Sequence, residues 1–140
     1  MFIKLKLVLG IILFFNFFNL AISKENFFID AKNKFDSKQL EESKFLFQRN
    51  IVFNPKDAQS YLYLAKIYNS EENEKEEEKN LRTALMLEPD NEEAMYLLID
   101  IELKRSNFSK VEELKKNFKK ICLKICEKLK LIDNRLKELE

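Results

Sequence analysis

Two cysteines, Cys122 and Cys126, are the residues of this 140-residue chain whose type and spacing first suggest chemistry. Thiols four positions apart could form a disulfide, bind a metal ion or react. If the segment is helical, however, their Cβ atoms lie about 5–6 Å apart, which exceeds the roughly 3.5–4.5 Å of a relaxed disulfide. Two thiolates without histidine also supply only half of a zinc shell. The spacing therefore favours two small apolar core or boundary residues, with an intrahelical or an intermolecular disulfide as alternatives.

Catalytic groups are otherwise scarce in the sequence. There is no histidine, the commonest general base and metal ligand, and the one glycine, Gly10, lies in an apolar N-terminal run. Phosphate-cradling loops and dinucleotide fingerprints need glycines at fixed spacings, so they are excluded beyond that run. The acidic pairs at 41–42 and 92–93 fall where helices are predicted to begin and where carboxylates favour the helix dipole. We therefore expect a protein that is not an enzyme, with no cofactor and no catalytic or metal-binding residues.

The first 23 residues have the composition of a targeting segment. Lys4 and Lys6 precede an apolar run at 7–22, and Ala21 and Ser23 supply the small residues of a cleavage site. The run is short for a bilayer span. We expect residues 1–23 to be a signal peptide, cleaved after Ser23, of a protein exported to the bacterial periplasm. The alternative is an uncleaved signal anchor that holds the protein in the inner membrane.

The remaining chain is expected to fold as one helix-rich domain. Lys and Arg number 25 and Asp and Glu 24, so the net charge gives no indication of a nucleic-acid partner. Pro55 and Pro89 are the only prolines and lie 34 residues apart. Because proline cannot continue a helix, each of them marks the end of one helix and the approach of the next.

Two amphipathic stripes occupy the residues between these prolines. The first follows the i, i+3, i+4, i+7 spacing of a helix, and the second repeats a shorter form of that spacing. Their residues are Tyr61, Leu64, Ala65 and Tyr68, and then Leu81, Ala84 and Leu85. Together with Pro89, this helix, turn and helix pattern resembles a tetratricopeptide repeat (TPR). Glu77 departs from the family pattern, which has a small residue at that position.

The resemblance implies an all-α fold, a short α-solenoid of about three TPR helix-turn-helix units with a long C-terminal helix. Shifting the pattern by 34 residues places the repeats at about 24–57, 58–91 and 92–125. The TPR array thus covers residues 24–125, with a strong second repeat, a fair first repeat and a degenerate third. Terminal repeats are often atypical because each has only one neighbour.

The C-terminal part is predicted to be one long amphipathic helix, residues 109–140, which overlaps the last repeat. It has no glycine or proline, and its apolar residues follow spacings of three or four to the end. Its overhang could cap the last repeat, rest on an anionic membrane, or bind a partner or a second copy of the chain. The residues of the hypothetical interface are Ile132, Leu136 and Leu139.

By resemblance, the first helices of the repeats line a concave groove that holds a partner peptide or helix. The residues that would face the groove are Phe28, Lys32, Gln59, Leu62, Tyr63, Lys66, Tyr96 and Asp100. Aromatic faces beside Lys and Gln suit a mixed apolar and polar ligand, although Leu62 and Tyr63 could instead cover the packing between repeats.

These features predict a non-enzymatic adaptor or scaffold for protein partners in the bacterial cell envelope. The alternatives are a membrane-tethered TPR protein, and an accessory subunit of a cell-wall or outer-membrane assembly complex. Self-association through the C-terminal helix is a further hypothesis. The sequence identifies no individual partner, because a fold does not by itself specify what binds to it.

Overall fold

The computed structural model describes residues 26–139, and every regular element in that part of the chain is an α-helix. The predicted signal peptide at residues 1–23 lies outside the described residues. The helices are α1 (Phe27–Asp36), α2 (Leu40–Phe53), α3 (Ala58–Ser70), α4 (Glu74–Leu87), α5 (Glu92–Lys104), α6 (Phe108–Ile121) and α7 (Lys128–Leu139). None of these described helices is both long and apolar enough to cross a membrane.

The helices recur with the predicted 34-residue period. The first helices of the pairs, α1, α3 and α5, end at residues 36, 70 and 104, and the second helices, α2, α4 and α6, begin at 40, 74 and 108. The second helices end at 53, 87 and 121, again 34 residues apart. The two helices of each pair pack on each other, and each pair packs on the next. The prediction of an all-α, short α-solenoid of TPR-like units is therefore confirmed.

A left-handed residue follows the first helix of every pair. These residues are Lys38, Glu72 and Ser106, with φ of 63°, 56° and 54°. In each case the next N–H group donates to the carbonyl five residues earlier, which satisfies the helix C-terminus as in a Schellman motif. The bonds, each 2.9 Å long, run from Gln39 to Lys34, from Asn73 to Tyr68 and from Asn107 to Glu102. Glycine is favoured in this conformation because it has no Cβ, so the three turns carry backbone strain.

Replacing Glu72 by Gly should relieve this strain and stabilise the protein. The left-handed penalty is about 1–2 kcal/mol, and the extra freedom of glycine in the unfolded chain offsets about 0.4–1 kcal/mol of the gain. We expect a net rise of about 0.5–1 kcal/mol in the free energy of unfolding, measured by urea denaturation. Lys75→Gly, three residues later inside α4, is the control and should destabilise. Equal losses in the two variants would contradict the strain.

Two apolar clusters form the core. The N-terminal cluster joins α1, α2 and α3 around Ala31 and Phe47, both 0% exposed. The larger C-terminal cluster joins helices α3 to α7. Ala65 and Ala84 are fully buried in it and allow α3 and α4 to approach closely. The core therefore runs through all the units, as expected when each repeat buries its apolar face against its neighbours.

The C-terminal part consists of two helices, so the prediction of one long helix over residues 109–140 is wrong. α6 ends at Ile121, in register with the ends of α2 and α4, and α7 begins at Lys128. Apolar spacings of three and four continue across the break because α6 and α7 bury their apolar faces in the same cluster. Periodicity alone cannot distinguish one helix from two that share a core.

The turn at 122–127 is fixed by the first residue of α5. The Glu92 carboxylate accepts hydrogen bonds from the backbone N–H groups of Ile125 and Lys124, both at 3.0 Å. These bonds, the one from Ile125 foremost, lower the pKa of Glu92 below its ordinary value. The N-terminal carboxylate of one helix thus satisfies backbone groups that a continuous helix would have paired internally.

Cys122 and Cys126 form a disulfide in this turn, with Cα atoms 5.2 Å apart. The prediction of two small apolar residues without a disulfide is therefore wrong. That prediction assumed a helical segment, whereas Cys122 has an extended backbone (φ −64°, ψ 130°) and the residues up to Glu127 are not helical. The sulfur atoms can therefore meet at a spacing that a regular helix does not permit.

Candidate functional site

Helices α1, α3, α5 and α7 contact one another in succession along one side of the protein. The contacts are Phe28 with Tyr63 (ring centroids 6.0 Å apart), Lys66 with Glu93 (Nζ to Oε1, 2.7 Å), and Asp100 with Arg135. We call the exposed side of α1, α3 and α5 along this row the first-helix face. All of the predicted groove residues except Leu62 are partly exposed.

Leu62 does not reach the surface of this face. It is 2% exposed and belongs to the C-terminal core cluster, so it packs beneath the face and offers nothing to a partner. Its neighbour Gln59 donates a hydrogen bond from Nε2 to Glu88 Oε2 at 3.1 Å. The sequence pattern placed Leu62 among the groove residues because its register position usually faces the groove, and burial by neighbouring helices decided otherwise.

Tyr63 lies at the centre of the aromatic part of the first-helix face. Its ring stacks on Phe47, with centroids 5.0 Å apart and an interplanar angle of 11°, and meets Phe35 and Phe28 at steep angles. Lys66 Nζ lies 4.7 Å from the Tyr63 ring centroid, which is a cation–π geometry. Packing therefore fixes a ring that stays partly exposed, so binding through it costs little side-chain entropy.

The charges on this part of the face are paired within the protein. Lys32 Nζ lies 2.7 Å from Asp36 Oδ2, and Lys66 Nζ lies 2.7 Å from Glu93 Oε1. The hydrogen bond to Asp36 raises the pKa of Lys32 above its ordinary value. A partner here meets polar groups that are already oriented, and it must compete with or extend these ion pairs.

The last helix covers the C-terminal end of the face. Lys128 Nζ lies 5.2 Å from the Tyr96 ring centroid, and Asp100 is bonded by Arg135 and Lys104. Burial alone would raise the pKa of Asp100, but the hydrogen bonds from these two cations bring it below its ordinary value. Tyr96 and Asp100 are thus partly occupied by α7, which leaves the α1 and α3 portion as the more open part of the face.

The hypothetical C-terminal interface is mostly internal. Ile132 and Leu136 are 1% and 6% exposed and pack in the C-terminal cluster, whereas Leu139 is 47% exposed. The hypothesis that Ile132 and Leu136 form an overhanging interface is therefore wrong, because the turn at 122–127 folds α7 back onto α5 and α6. Leu139 remains exposed but has lost the apolar neighbours that the hypothesis gave it.

α7 occupies the position of a first helix in a fourth unit, which the sequence reasoning missed. Leu64, Leu98 and Ile132 are spaced by 34 residues, and they are 3%, 2% and 1% exposed. The register of the repeats therefore continues past residue 125. Extending the 34-residue comparison to the end of the chain would have found this signal, since the two known units predict a buried apolar residue at 132.

Glu77, which departs from the repeat pattern, is a buried carboxylate between α3 and α4. It is 3% exposed, and its Oε1 accepts a hydrogen bond from Asn69 Nδ2 at 3.0 Å. Burial raises the pKa of Glu77 above its ordinary value, although the bond from Asn69 acts in the opposite direction. The position thus holds a charged group at neutral pH only at the expense of its hydration.

Glu77→Gln should therefore stabilise the protein at neutral pH. Because its pKa is higher in the folded state, wild-type Glu77 binds more protons when folded, and its contribution to stability is lost as pH rises through that folded pKa. Glutamine keeps an oxygen for Asn69 without the charge. We expect a higher free energy of unfolding than wild type at neutral pH, and a difference that vanishes near pH 4, around the ordinary carboxyl pKa of about 4.3. Exposed Glu72→Gln is the control, and a gap that does not change with pH would contradict the mechanism.

No group of three or more His, Cys, Asp or Glu side chains within residues 26–139 could hold a metal ion. The described chemistry of the first-helix face is therefore that of aromatic rings, amides and paired charges. Such a surface can bind and orient another chain.

No protein-family model and no curated protein sequence matches this chain. Solved structures do resemble it. The Yersinia enterocolitica type III secretion chaperone SycD, in complex with a peptide of the translocator YopD, has a TM-score of 0.69 at 14% identity, over 82% of this chain and 90% of that one. The TPR2B domain of yeast Sti1, in a pHsp70 complex, has a TM-score of 0.69 at 14% identity, over 82% and 94%. The Sgt2 TPR domain from Aspergillus fumigatus has a TM-score of 0.63 at 9% identity, over 85% and 78%. These likenesses show a TPR-like fold.

Proposed function

We propose that this TPR-like chain is a non-enzymatic adaptor that binds a peptide or helix of a protein partner on its first-helix face. The observation that carries the proposal is the fixed but partly exposed ring of Tyr63, flanked by Lys66 and by the other partly exposed residues of successive first helices. Rigid aromatic residues of this kind are typical binding hot spots. The TPR structure of SycD that resembles this chain holds a peptide, which supports the same use here.

The expected partner segment combines apolar side chains with hydrogen-bonding groups. Tyr63 offers an apolar surface, whereas Lys32 and Lys66 already have acidic partners in Asp36 and Glu93. Charge pairing leaves little net field to attract a strongly acidic or basic peptide. Specificity would therefore come from apolar contacts near Tyr63 and from hydrogen bonds to oriented polar groups.

We further propose that the protein acts in the bacterial cell envelope, as an exported periplasmic adaptor. The composition of residues 1–23 motivates the export, and the disulfide between Cys122 and Cys126 is compatible with an oxidising compartment. A membrane-tethered form with an uncleaved anchor and an accessory subunit of a cell-wall or outer-membrane assembly complex are the alternatives. Mass spectrometry of the native protein separates the first two, because cleavage gives Lys24 as the N-terminus.

Charge reversal at Lys66 tests the binding surface. We expect Lys66→Glu to weaken recovery of the protein that co-purifies with the wild type by about tenfold or more, because a central contact is worth at least about 1.4 kcal/mol. Lys75→Glu, on the exposed start of α4, is the matched control and should recover it normally. The double exchange Lys66→Glu with Glu93→Lys keeps the ion pair, so it separates lost binding from lost stability. Equal recovery by all variants would exclude this face as the binding surface.

A further inference from the structure

Helix α2 carries an exposed apolar surface that its packing does not explain. Phe45, Val52 and Phe53 are 61%, 76% and 63% exposed, and their spacing of seven and eight residues places them on one side of the helix. We call these three residues the α2 patch. The opposite side of the same helix carries Phe47, which is fully buried. Exposed aromatic and aliphatic groups that cluster in this way commonly mark a binding surface.

The patch is specific to the first helix pair. At the positions 34 residues later, α4 has Lys79, Met86 and Leu87. Of these, only Met86 is an exposed apolar residue, at 74%. The repeat architecture therefore does not require this surface, since the next unit folds with a lysine in place of the first aromatic residue.

The patch lies where the chain enters the fold. The Phe53 ring stacks on Phe27, the first residue of α1, with centroids 5.5 Å apart. The apolar run at 7–22 ends five residues before Phe27. Five residues span at most about 18 Å, so a bilayer that holds the run also lies within that distance of Phe53.

A cation accompanies the apolar residues. The Arg49 guanidinium lies 4.4 Å from the Phe27 ring centroid, on the same side of α2 as the patch. Phenylalanine and valine side chains with an arginine beside them match the boundary between acyl chains and phosphate headgroups, where apolar groups enter and the cation stays at the surface.

From this placement we propose that the α2 patch contacts a phospholipid surface, with Phe45, Val52 and Phe53 at the level of the upper acyl chains. A second copy of the chain is a less suitable occupant, because a dimer contact would not need to lie at the exit of an apolar run. The contact would orient the first-helix face relative to the membrane, which goes beyond the binding of a protein partner.

The absence of tryptophan from the sequence allows a direct test. Full-length Phe53→Trp protein is mixed with vesicles of phosphatidylcholine and phosphatidylglycerol that carry brominated acyl chains, which quench tryptophan on contact. We expect a blue-shifted emission that loses most of its intensity. Met86→Trp in the full chain is the matched control, because Met86 is equally exposed one unit further on, and we expect its emission to be unchanged.

A second substitution distinguishes contact from mere proximity. Adding Val52→Glu to Phe53→Trp should abolish the quenching at unchanged helicity, whereas adding Met86→Glu should leave it intact. Equal quenching of the Phe53→Trp and Met86→Trp variants, or none in either, would overturn the proposal. Concentration-dependent self-association that vesicles do not alter and that Val52→Glu removes would also overturn it, in favour of a dimer contact.

Discussion

Phe47→Ala is expected to lower the free energy of unfolding by about 3–5 kcal/mol, the usual cost of removing a buried phenylalanine ring. Phe47 is 0% exposed. Its ring lies 5.0 Å from Tyr63 and 5.7 Å from Phe28, measured between centroids. The substitution therefore removes the centre of the N-terminal cluster and leaves a cavity between the first pair and α3. Small domains are stable by only about 5–15 kcal/mol, so this loss could unfold a large fraction of the protein.

Phe45→Ala is the matched control for this experiment. Phe45 has the same side chain on the same helix but is 61% exposed, so we expect a change within about 0.5 kcal/mol. Urea denaturation followed by far-ultraviolet circular dichroism measures both variants. Similar losses for Phe45→Ala and Phe47→Ala would contradict the orientation of α2. Because Phe47 also supports Tyr63, Phe47→Ala should weaken partner binding, whereas Phe45→Ala should not.

Ile132→Ala is expected to cost about 2–5 kcal/mol, as for other fully buried aliphatic residues. Ile132 is 1% exposed and lies in the C-terminal cluster, where α7 covers α5 and α6. The experiment separates a docked α7 from the overhanging helix that the apolar periodicity predicts. In an overhang Ile132 would face solvent, and its truncation would have little effect on stability.

Leu131→Ala provides the comparison at the adjacent position. Leu131 is 45% exposed, and we expect a change of at most about 0.5–1 kcal/mol. Thermal unfolding of the two variants at matched concentration gives the difference. If Ile132→Ala were as stable as Leu131→Ala, α7 would not be docked in solution, and Tyr96 and Asp100 would be as open to a partner as Tyr63.

The repeats could be predicted because their signals are local. Pro55 and Pro89 follow the ends of α2 and α4, and the apolar spacing inside each unit matches one face of a helix. The left-handed turns at Lys38, Glu72 and Ser106 left no such signal, since none of these residues is glycine. Their conformation is imposed by the packing of the two helices that each turn connects.

The C-terminal turn and the disulfide could not be predicted from local spacing. Residues 122–127 contain no glycine or proline to mark a helix end. The turn is fixed instead by Glu92, which bonds Lys124 and Ile125 more than 30 residues along the chain. Long-range bonds of this kind are invisible to a helical period, and the cysteine geometry inferred from a continuous helix failed for the same reason.

The candidate site was predicted in position more than in detail. The register placed Phe28, Tyr63 and Lys66 on one face, and the structure brings them together. The ion pair of Lys66 with Glu93, and that of Asp100 with Arg135, join different helices. Their geometry depends on how the units stack, so the sequence pattern offered no indication that the charges of the face are already paired.

Site-specific photo-crosslinking tests most directly whether the first-helix face binds a protein partner. A photoreactive amino acid replaces Lys32 or Lys66 on the face, and exposed Lys75 or Lys116 on second helices as controls, in full-length protein made in its native host. Irradiation should give adducts of one and the same protein from both face positions and none of that mass from the controls. Adducts of that protein from Lys75 and Lys116 but not from Lys32 and Lys66 would contradict the proposed binding surface.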